Sequence, residues 1–396
     1  MTTAKEPLSC RREDYSLPSD LHYLNCAYMA PLPKAVEEAG IAGLRRKRDP
    51  SKVEPQHFFE ESDALRARFA RLVNLADPRR VAIVPSVSYG IATVARNTPI
   101  ERSQNVVILG EQFPSNVYAW RRRVSEADAE LRTVPAPESD VDRAVAWNQA
   151  VLEAIDSSTA AVALPHFHWS YGTRYDLAAI GERAREQGAA LIVDATQSIG
   201  AYPFDVAELR PDALICAGYK TLQGPYSIGF AYFGERYDDG EPLEETWAAR
   251  RDSQNFAGLV DYEDDYQGGA VRYDVGERSN WILIPMMAAA LDLVLDWQVE
   301  RIRDYCRTLT EDLFVTVQEM GFGVEDPAWR AGHLFGLVPP AGTDVETVRE
   351  ELARRRVMVS VRGRAVRVAP SVYNDTRDVE ALLEALQASS RAGAAP

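Results

Sequence analysis

Seven short apolar runs, mostly β-branched, punctuate the first 233 residues: Val81–Val84, Val106–Leu109, Leu131–Val134, Ala160–Leu164, Ala190–Val193, Ala213–Cys216 and Ile228–Phe233. Most lack the polar residue at every second position that a half-exposed strand would show. They therefore predict strands covered on both faces, the condition of a mostly parallel sheet. Between them Tyr89–Asn97, Asn116–Ala127, Asp142–Ile155 and Leu177–Gln187 repeat apolar residues at helical spacing. Strand and helix in alternation predict an α/β layered domain. The step from Ala213–Cys216 to Ile228–Phe233 has no helical pattern, so one antiparallel strand is expected at the sheet edge.

Beyond about Gly276 the pattern changes. A long helical stretch from Ser279 to Met320, with breaks, leads to a strand Leu334–Val338, a helix Val345–Arg355, strands Met358–Val361 and Ala365–Val368, and a helix Val379–Ala388. That order predicts a smaller α+β unit beside the first. Asp238–Gln267 is acidic and turn-rich and reads as a long connection over a surface or a partner subunit. Ser389–Pro396 is expected to fray.

Composition narrows the function classes. The chain has 396 residues, 44 Lys+Arg and 59 Asp+Glu, for a net charge of −15. An acidic balance argues against nucleic acid as a partner, because phosphate backbones need clustered cations. The basic runs Arg45–Arg48 and Arg354–Arg356 fit solvated helix faces. No apolar stretch approaches the roughly 20 residues of a membrane span, so no membrane association is expected. Residues 1–14 lack the apolar segment of a signal peptide. The four cysteines (Cys10, Cys26, Cys216, Cys306) are scattered, without metal-ligand spacing or disulfide density. A cytoplasmic setting and no metal are the expectation.

Lysine usage is more pointed. Lysine occurs at Lys5, Lys34, Lys47, Lys52 and Lys220 only, and arginine supplies the other 39 cations. Arginine cannot replace lysine where an amine must lose its proton and attack a carbonyl. Lys220 is thereby singled out.

Ligands of parallel sheets sit beyond the carboxyl ends of the strands, and distinctive residues gather at five of those ends here. Val81–Val84 runs into Pro85-Ser86-Val87-Ser88-Tyr89, where hydroxyls and helix-opening amides make an anion seat or an ordinary N-cap. Val106–Leu109 runs into Gly110-Glu111-Gln112-Phe113. Ala160–Leu164 ends in Pro165-His166-Phe167-His168-Trp169, Ala190–Val193 in Asp194-Ala195-Thr196-Gln197, and Ala213–Cys216 in Ala217-Gly218-Tyr219-Lys220. A carboxylate at Asp194, after so apolar a strand, needs a cationic partner or serves as a cap. Burial at Lys220 would lower its proton affinity and make it a nucleophile. Phe113 and Trp169 could hold a flat ring between them. Arg362, Arg364 and Arg367 alternate through the late strands, and a guanidinium inside Val366–Val368 suits a carboxylate ligand.

Four segments fall in a recognisable order: Tyr23-Leu24-Asn25-Cys26-Ala27-Tyr28-Met29-Ala30-Pro31-Leu32-Pro33; Val193-Asp194-Ala195-Thr196-Gln197-Ser198; Gly218-Tyr219-Lys220; and Val366-Arg367-Val368-Ala369-Pro370 with Tyr373-Asn374. With these the chain resembles, over nearly its whole length, the class V aminotransferase group of fold-type I pyridoxal-phosphate enzymes. That group includes cysteine desulfurases, kynureninases and isopenicillin N epimerase-like proteins. The resemblance implies a large domain with a mostly parallel seven-stranded sheet and a smaller α+β C-terminal domain. Residues 1–30 would be an N-terminal segment packing with the small domain, 31–275 the large cofactor-binding domain, and 276–396 a linker helix and the small domain. It implies pyridoxal 5'-phosphate as cofactor, bound covalently by Lys220, with Asp194 at the pyridine nitrogen and Gln197 at the phenolic oxygen. Ser86, the Val87 amide, Ser88 and Tyr219 would hold the phosphate, and Phe113 would stack on the ring. Arg367 would grip the substrate α-carboxylate. His168 and Trp169 are expected near the substrate, and Asn280 at the substrate or a neighbour's phosphate.

The departures from the pattern matter as much. A desulfurase needs a cysteine on a loop before the late arginine strand, and Val357–Arg367 has none. Ala217 stands where many relatives carry a phosphate-binding serine. The resemblance therefore implies an enzyme acting on an amino acid, a small-molecule substrate, through a lysine Schiff base, most simply an aminotransferase working as a homodimer. A lyase, an epimerase or a non-catalytic binding relative are the alternatives. A nucleotide-dependent oxidoreductase is disfavoured because no strand–GxGxxG–helix unit occurs.

Overall fold

The computed structural model describes residues 6–139, 142–343 and 345–392. Ahead of the predicted sheet lie β1 (His22–Tyr23), α1 (Lys34–Arg46) and α2 (Glu60–Leu72), none of which the apolar pattern marked as an element. Arg45 and Arg46 do occupy the last turn of α1, where cations suit the helix dipole.

The middle of the chain then alternates β2 (Val81–Val84), α3 (Val87–Asn97), β3 (Asn105–Leu109), α4 (Tyr118–Ala127), β4 (Glu130–Val134), α5 (Arg143–Ala154), β5 (Thr159–Pro165), α6 (Leu177–Glu186), β6 (Ala190–Asp194), α7 (Val206–Leu209), β7 (Ala213–Ala217) and β8 (Gly229–Phe233). Among the described residues these seven strands form one sheet in the order β2-β8-β7-β6-β5-β3-β4. All neighbours run parallel except β8, which is antiparallel to both β2 and β7. The antiparallel strand was expected at the edge; it is interior. The reason is that β2 adds its own ladder to the far side of β8 and becomes the edge strand. Period-two alternation splits β2 between two apolar layers. Val81 and Ile83 belong to the layer that holds Phe69, Trp147 and Phe230, and Ala82 and Val84 to the layer that holds Ile91, Trp120 and Tyr273.

Asp238–Gln267, read as a surface connection, is built of turns and short 3₁₀ segments. Its continuation is fastened at Asp274, which is buried with Arg66 and Arg278. Arg66 Nη1 donates to Asp274 Oδ1 at 2.9 Å and Nη2 to Oδ2 at 2.5 Å, and the Ile83 amide also reaches Oδ1 at 2.8 Å. A carboxylate with donors on both oxygens is tolerable in that setting because its charge is matched.

The remainder comprises α8 (Leu283–Trp297), α9 (Val299–Glu319), β9 (Phe335–Leu337), α10 (Val345–Arg354), β10 (Val357–Met358), β11 (Ser360–Arg362), β12 (Ala365–Val368) and α11 (Thr376–Ala392). The break between α8 and α9 falls at Gln298, whose φ of 65° lies in the left-handed region. β11, β12 and β9 form an antiparallel sheet, and β1 pairs parallel with β10. The N-terminal segment thereby threads between the two sheets: the Cys26 amide donates to Ala369 O and the Ala30 amide to Tyr219 O. Of the tail expected to fray, Ser389–Ala392 continues α11, and 393–396 lie outside the described residues.

Candidate active site

The parallel strands β3, β5, β6 and β7 deliver their carboxyl ends to one rim, and β2, antiparallel to β8 just as β7 is, points the same way. At that rim lies a cavity of about 290 Å³ lined by residues from five strand ends, close to the ~300 Å³ lower bound of small-ligand sites. Wider hollows exist, about 650 Å³ beside Arg174 and about 840 Å³ beside Arg79, but both are open grooves away from the rim where the five strand ends meet.

One wall is the start of α3. Ser86 is its N-cap, accepting from the Tyr89 amide at 3.1 Å, and its hydroxyl lies 2.9 Å from that of Ser88. Two hydroxyls and the first-turn amides at Val87 and Ser88 make this wall an anion seat on the helix dipole. The N-cap reading is realised at Ser86, and the same residues leave hydroxyls and first-turn amides facing the cavity.

Opposite stands Asp194, only 7% exposed, at the end of β6. Its Oδ1 accepts from the Thr196 amide at 3.1 Å. Among the described residues it forms no ion pair. Burial raises its proton affinity, against the hydrogen bonds from Thr196 and the attraction of Lys220. A buried carboxylate without an ion-pair partner is costly unless the ligand brings a cation.

Lys220 closes the site. It is 5% exposed and sits in the loop between β7 and β8. Burial brings its amine down from 10.5 to about 8, outweighing the attraction of Asp194. Arg367 and Arg362 push it further in the same direction. Its Nζ lies 5.3 Å from the Phe113 ring centre and 5.6 Å from that of Tyr219. Gln197 donates through Nε2 to Ala27 O at 3.2 Å, so the N-terminal segment orients it. Phe113 and Trp169 meet edge-on at 5.5 Å, and the Trp169 indole donates to Glu111 O at 2.7 Å.

The structure thus brings Ser86, Val87, Ser88, Phe113, Trp169, Asp194, Gln197, Tyr219 and Lys220 to one cavity. Arg367 stands behind that wall. Its Nη1 donates to Trp169 O at 3.1 Å and its Nη2 to Ser360 Oγ at 3.3 Å, while burial lowers its proton affinity to about 10. His168 is not brought to the cavity. It is fully buried between Trp147 and Tyr171, ring centres 4.9 and 5.3 Å away, and Ser170 Oγ is 3.1 Å from its Nδ1. The cause is alternation: Phe167 and Trp169 face the cavity, so His168 faces away. Asn280 lies in a separate hollow with Leu44, Trp247 and Ile282. There its Oδ1 caps α8, accepting from the Ile282 and Leu283 amides.

Several lining residues were not singled out from the sequence. Phe167 was available from the same alternation that excludes His168. Asn116, Thr196 and Tyr226 come from loops whose side-chain direction no periodicity reports.

The donor set suits a flat, phosphorylated, protonatable ring carrying a carbonyl. There is an anion seat at one end, an unpaired buried carboxylate at the other, an aromatic lid at Phe113, and an amine of lowered proton affinity. Among the described residues, no cluster of His, Cys, Asp or Glu suited to a metal occurs, and no helix is long and apolar enough to cross a membrane.

Comparison with known proteins agrees with that chemistry. The family model described as aminotransferase class-V matches residues 51–389. An uncharacterized aminotransferase, YcbU, of Bacillus subtilis (strain 168) is 27% identical over 84% of this chain and 85% of its own length. Isopenicillin N epimerase of Amycolatopsis lactamdurans is 24% identical over 96% of this chain and 98% of its own. Among solved structures, the cysteine desulfurase CsdA of Escherichia coli superposes with a TM-score of 0.77 at 17% identity, covering 96% of this chain and 98% of that one. A C-DES mutant with glycine covalently linked to its PLP cofactor reaches 0.82 at 18% identity, covering 95% and 98%. At these identities the structural likeness establishes the fold, which is fold-type I.

Proposed function

The chain belongs to the aminotransferase class-V family and is a pyridoxal 5'-phosphate enzyme, and we propose that within the family it acts as an amino-acid aminotransferase. The observation that carries this reading is that Lys220 is the one amine, imidazole or thiol lining the cavity among the described residues.

When bound, the cofactor supplies a carbonyl that condenses with amines and a cationic ring that withdraws electrons from the substrate's α-carbon. Ser86, Ser88 and the Val87 amide would hold its phosphate, Phe113 its face, Gln197 its phenolic oxygen and Asp194 its protonated nitrogen. Asp194 would keep that proton in place, because a buried carboxylate beside the ring favours its protonated, cationic form. Lys220, with its amine near 8, is neutral in a substantial fraction at physiological pH and can attack the carbonyl or take a proton. Lys220 Nζ would be the group that takes the proton from the substrate α-carbon and holds it on the same face for delivery to the carbon that carried the cofactor's carbonyl. Arg367 holds the substrate α-carboxylate so that this carbon stays within reach.

A single base on one face supports amino-group transfer over inversion at the α-carbon, which needs a second proton donor opposite. His168, the obvious candidate for that donor, is turned away. Desulfurase chemistry lacks its nucleophile. Cys26 and Cys216 are buried, and burial raises both thiols, Cys26 to about 11.

We also propose that the chain works as a homodimer. Leu44, Trp247 and Ile282 are exposed apolar residues around one hollow of about 410 Å³. Tyr226 is 61% exposed while also lining the cavity. A second copy over this face would cover these residues and place Asn280 near the partner's cavity. Size-exclusion chromatography with light scattering should give twice the 44.0 kDa chain mass.

The functional test is absorption spectroscopy with product analysis. Protein loaded with pyridoxal 5'-phosphate should show a visible band absent from Lys220→Ala. Addition of the right amino acid should convert that band to the amine form of the cofactor with one equivalent of keto acid released. Regeneration of the band with repeated keto-acid release and no amino acceptor would refute the aminotransferase reading in favour of a lyase.

A further inference from the structure

Arg367 is not the only cation against the Trp169 wall of the site. The register of the β11–β12 hairpin pairs Ser360 with Arg367 and Arg362 with Ala365. Ser360 and Arg367 therefore share a face, and Arg362, two residues along from Ser360, shares it too. Arg362 and Arg367 are diagonal neighbours, a relation that puts their backbones about 7–8 Å apart. Both guanidinium groups approach the same ring, with their carbons 5.7 and 5.8 Å from the Trp169 ring centre. Each also lowers the proton affinity of Lys220, which places both fields on the reacting amine.

Neither arginine has a carboxylate. Elsewhere in this chain arginines find one: Arg66 with Asp274, Arg132 with Asp156, Arg236 with Asp212. Among the described residues no ion pair is formed by Arg362 or Arg367. Arg367, 2% exposed, is held by neutral acceptors only: Trp169 O, Ser360 Oγ and, at 3.5 Å, Asn25 Oδ1. Its Nε has no partner at all. Arg362 reaches only the carbonyl of Val361. Neutral acceptors satisfy hydrogen bonds without matching charge, and two like charges on one face of a hairpin repel. The other buried arginines among the described residues do have one, Arg66 and Arg278 at Asp274 and Arg143 at Glu325, so Arg367 stands apart from them.

We propose that the substrate is a dicarboxylic amino acid, with its α-carboxylate at Arg367 and its side-chain carboxylate at Arg362. This rests on the aminotransferase reading for the amine and adds the chemistry of the rest of the molecule. Two carboxylates neutralise both guanidinium groups, and each offers the planar acceptor pair that arginine binds best. The Trp169 ring that both guanidinium groups approach gives the substrate's methylene groups an apolar wall. Arg362 is a specificity-determining residue in this scheme, set beside Trp169 by the tight turn that joins β11 to β12.

The test uses the cofactor-loaded protein and calorimetric titration with glutarate and butyrate at constant ionic strength. Neither acid carries an amine, so the titration reads the two guanidinium groups whatever the reaction; cofactor uptake, followed separately by visible absorption, tests the functional reading on its own. Glutarate should bind at least about tenfold more tightly than butyrate, the value of one charge-assisted hydrogen bond. That preference should fall below about twofold in Arg362→Gln and be partly kept in Arg362→Lys. Turnover should follow the same order, with glutamate or aspartate preferred over glutamine and asparagine. Equal binding of the two acids by the wild type would overturn the proposal, as would a preference that survives Arg362→Gln intact.

Discussion

Replacing Lys220 with methionine tests whether the site is built to hold an uncharged amine. The wild-type amine is lowered from 10.5 to about 8, by burial first, against the pull of Asp194. Below pH 8 the amine is protonated in folded and unfolded chains alike, and the fold carries the whole cost of a charge in a closed site. Above about 10.5 both states are neutral and the cost is gone. Between these values the unfolded chain holds more protons, so wild-type stability rises with pH. One pKa unit corresponds to about 1.4 kcal/mol, so the cost is about 3 kcal/mol at pH 7 and about 1.4 kcal/mol at pH 9.5. Lys220→Met keeps the length and removes the charge. In urea unfolding of the cofactor-free protein, its stability relative to wild type should therefore be about 2 kcal/mol more favourable at pH 7 than at pH 9.5. Packing differences between the two side chains do not depend on pH and cancel in that comparison. A relative stability constant to within about 0.5 kcal/mol over this range, or one that grows with pH, would refute the argument that burial has lowered this amine.

Three further outcomes follow from the same geometry. Asp194→Asn keeps the side-chain shape but cannot hold a ring proton, and should lower kcat/KM at least about a hundredfold with the cofactor still bound, measured by keto-acid release. Ser86→Ala removes both the N-cap of α3 and a phosphate donor. It should cost about 1 kcal/mol in urea unfolding and weaken cofactor binding roughly tenfold by fluorescence titration. Asp274→Ala leaves Arg66 and Arg278 buried without their anion and should destabilise by about 3–5 kcal/mol, with a matching drop in the urea midpoint.

The layered α/β architecture was legible because a sheet covered on both faces demands unbroken apolar runs, and such runs stand out wherever they occur. All seven strands of the large sheet lie within a residue or so of the apolar stretches. The short β1 and the amphipathic α1 and α2 carry no comparable signal, since their partners α8 and β10 lie hundreds of residues away. The interior position of β8 was equally hidden, because the sequence shows where a helix is missing and not which strand closes the ladder.

The candidate site divides along the same line. Lysine scarcity and strand-end position pointed to Lys220, Asp194 and the Ser86–Ser88 turn without coordinates, since each is a chemical type placed where backbone geometry alone puts the ligand. Which side a side chain faces is a tertiary matter. Alternation after β5 turns Phe167 and Trp169 inward and buries His168 against Trp147, and hairpin register puts Arg362 beside Arg367 over one indole. Residue identity determined what chemistry the chain can perform. Only folding decided which groups share a space closed to water, where a few ångströms and the loss of solvent set charge, proton affinity and the shape of what can bind.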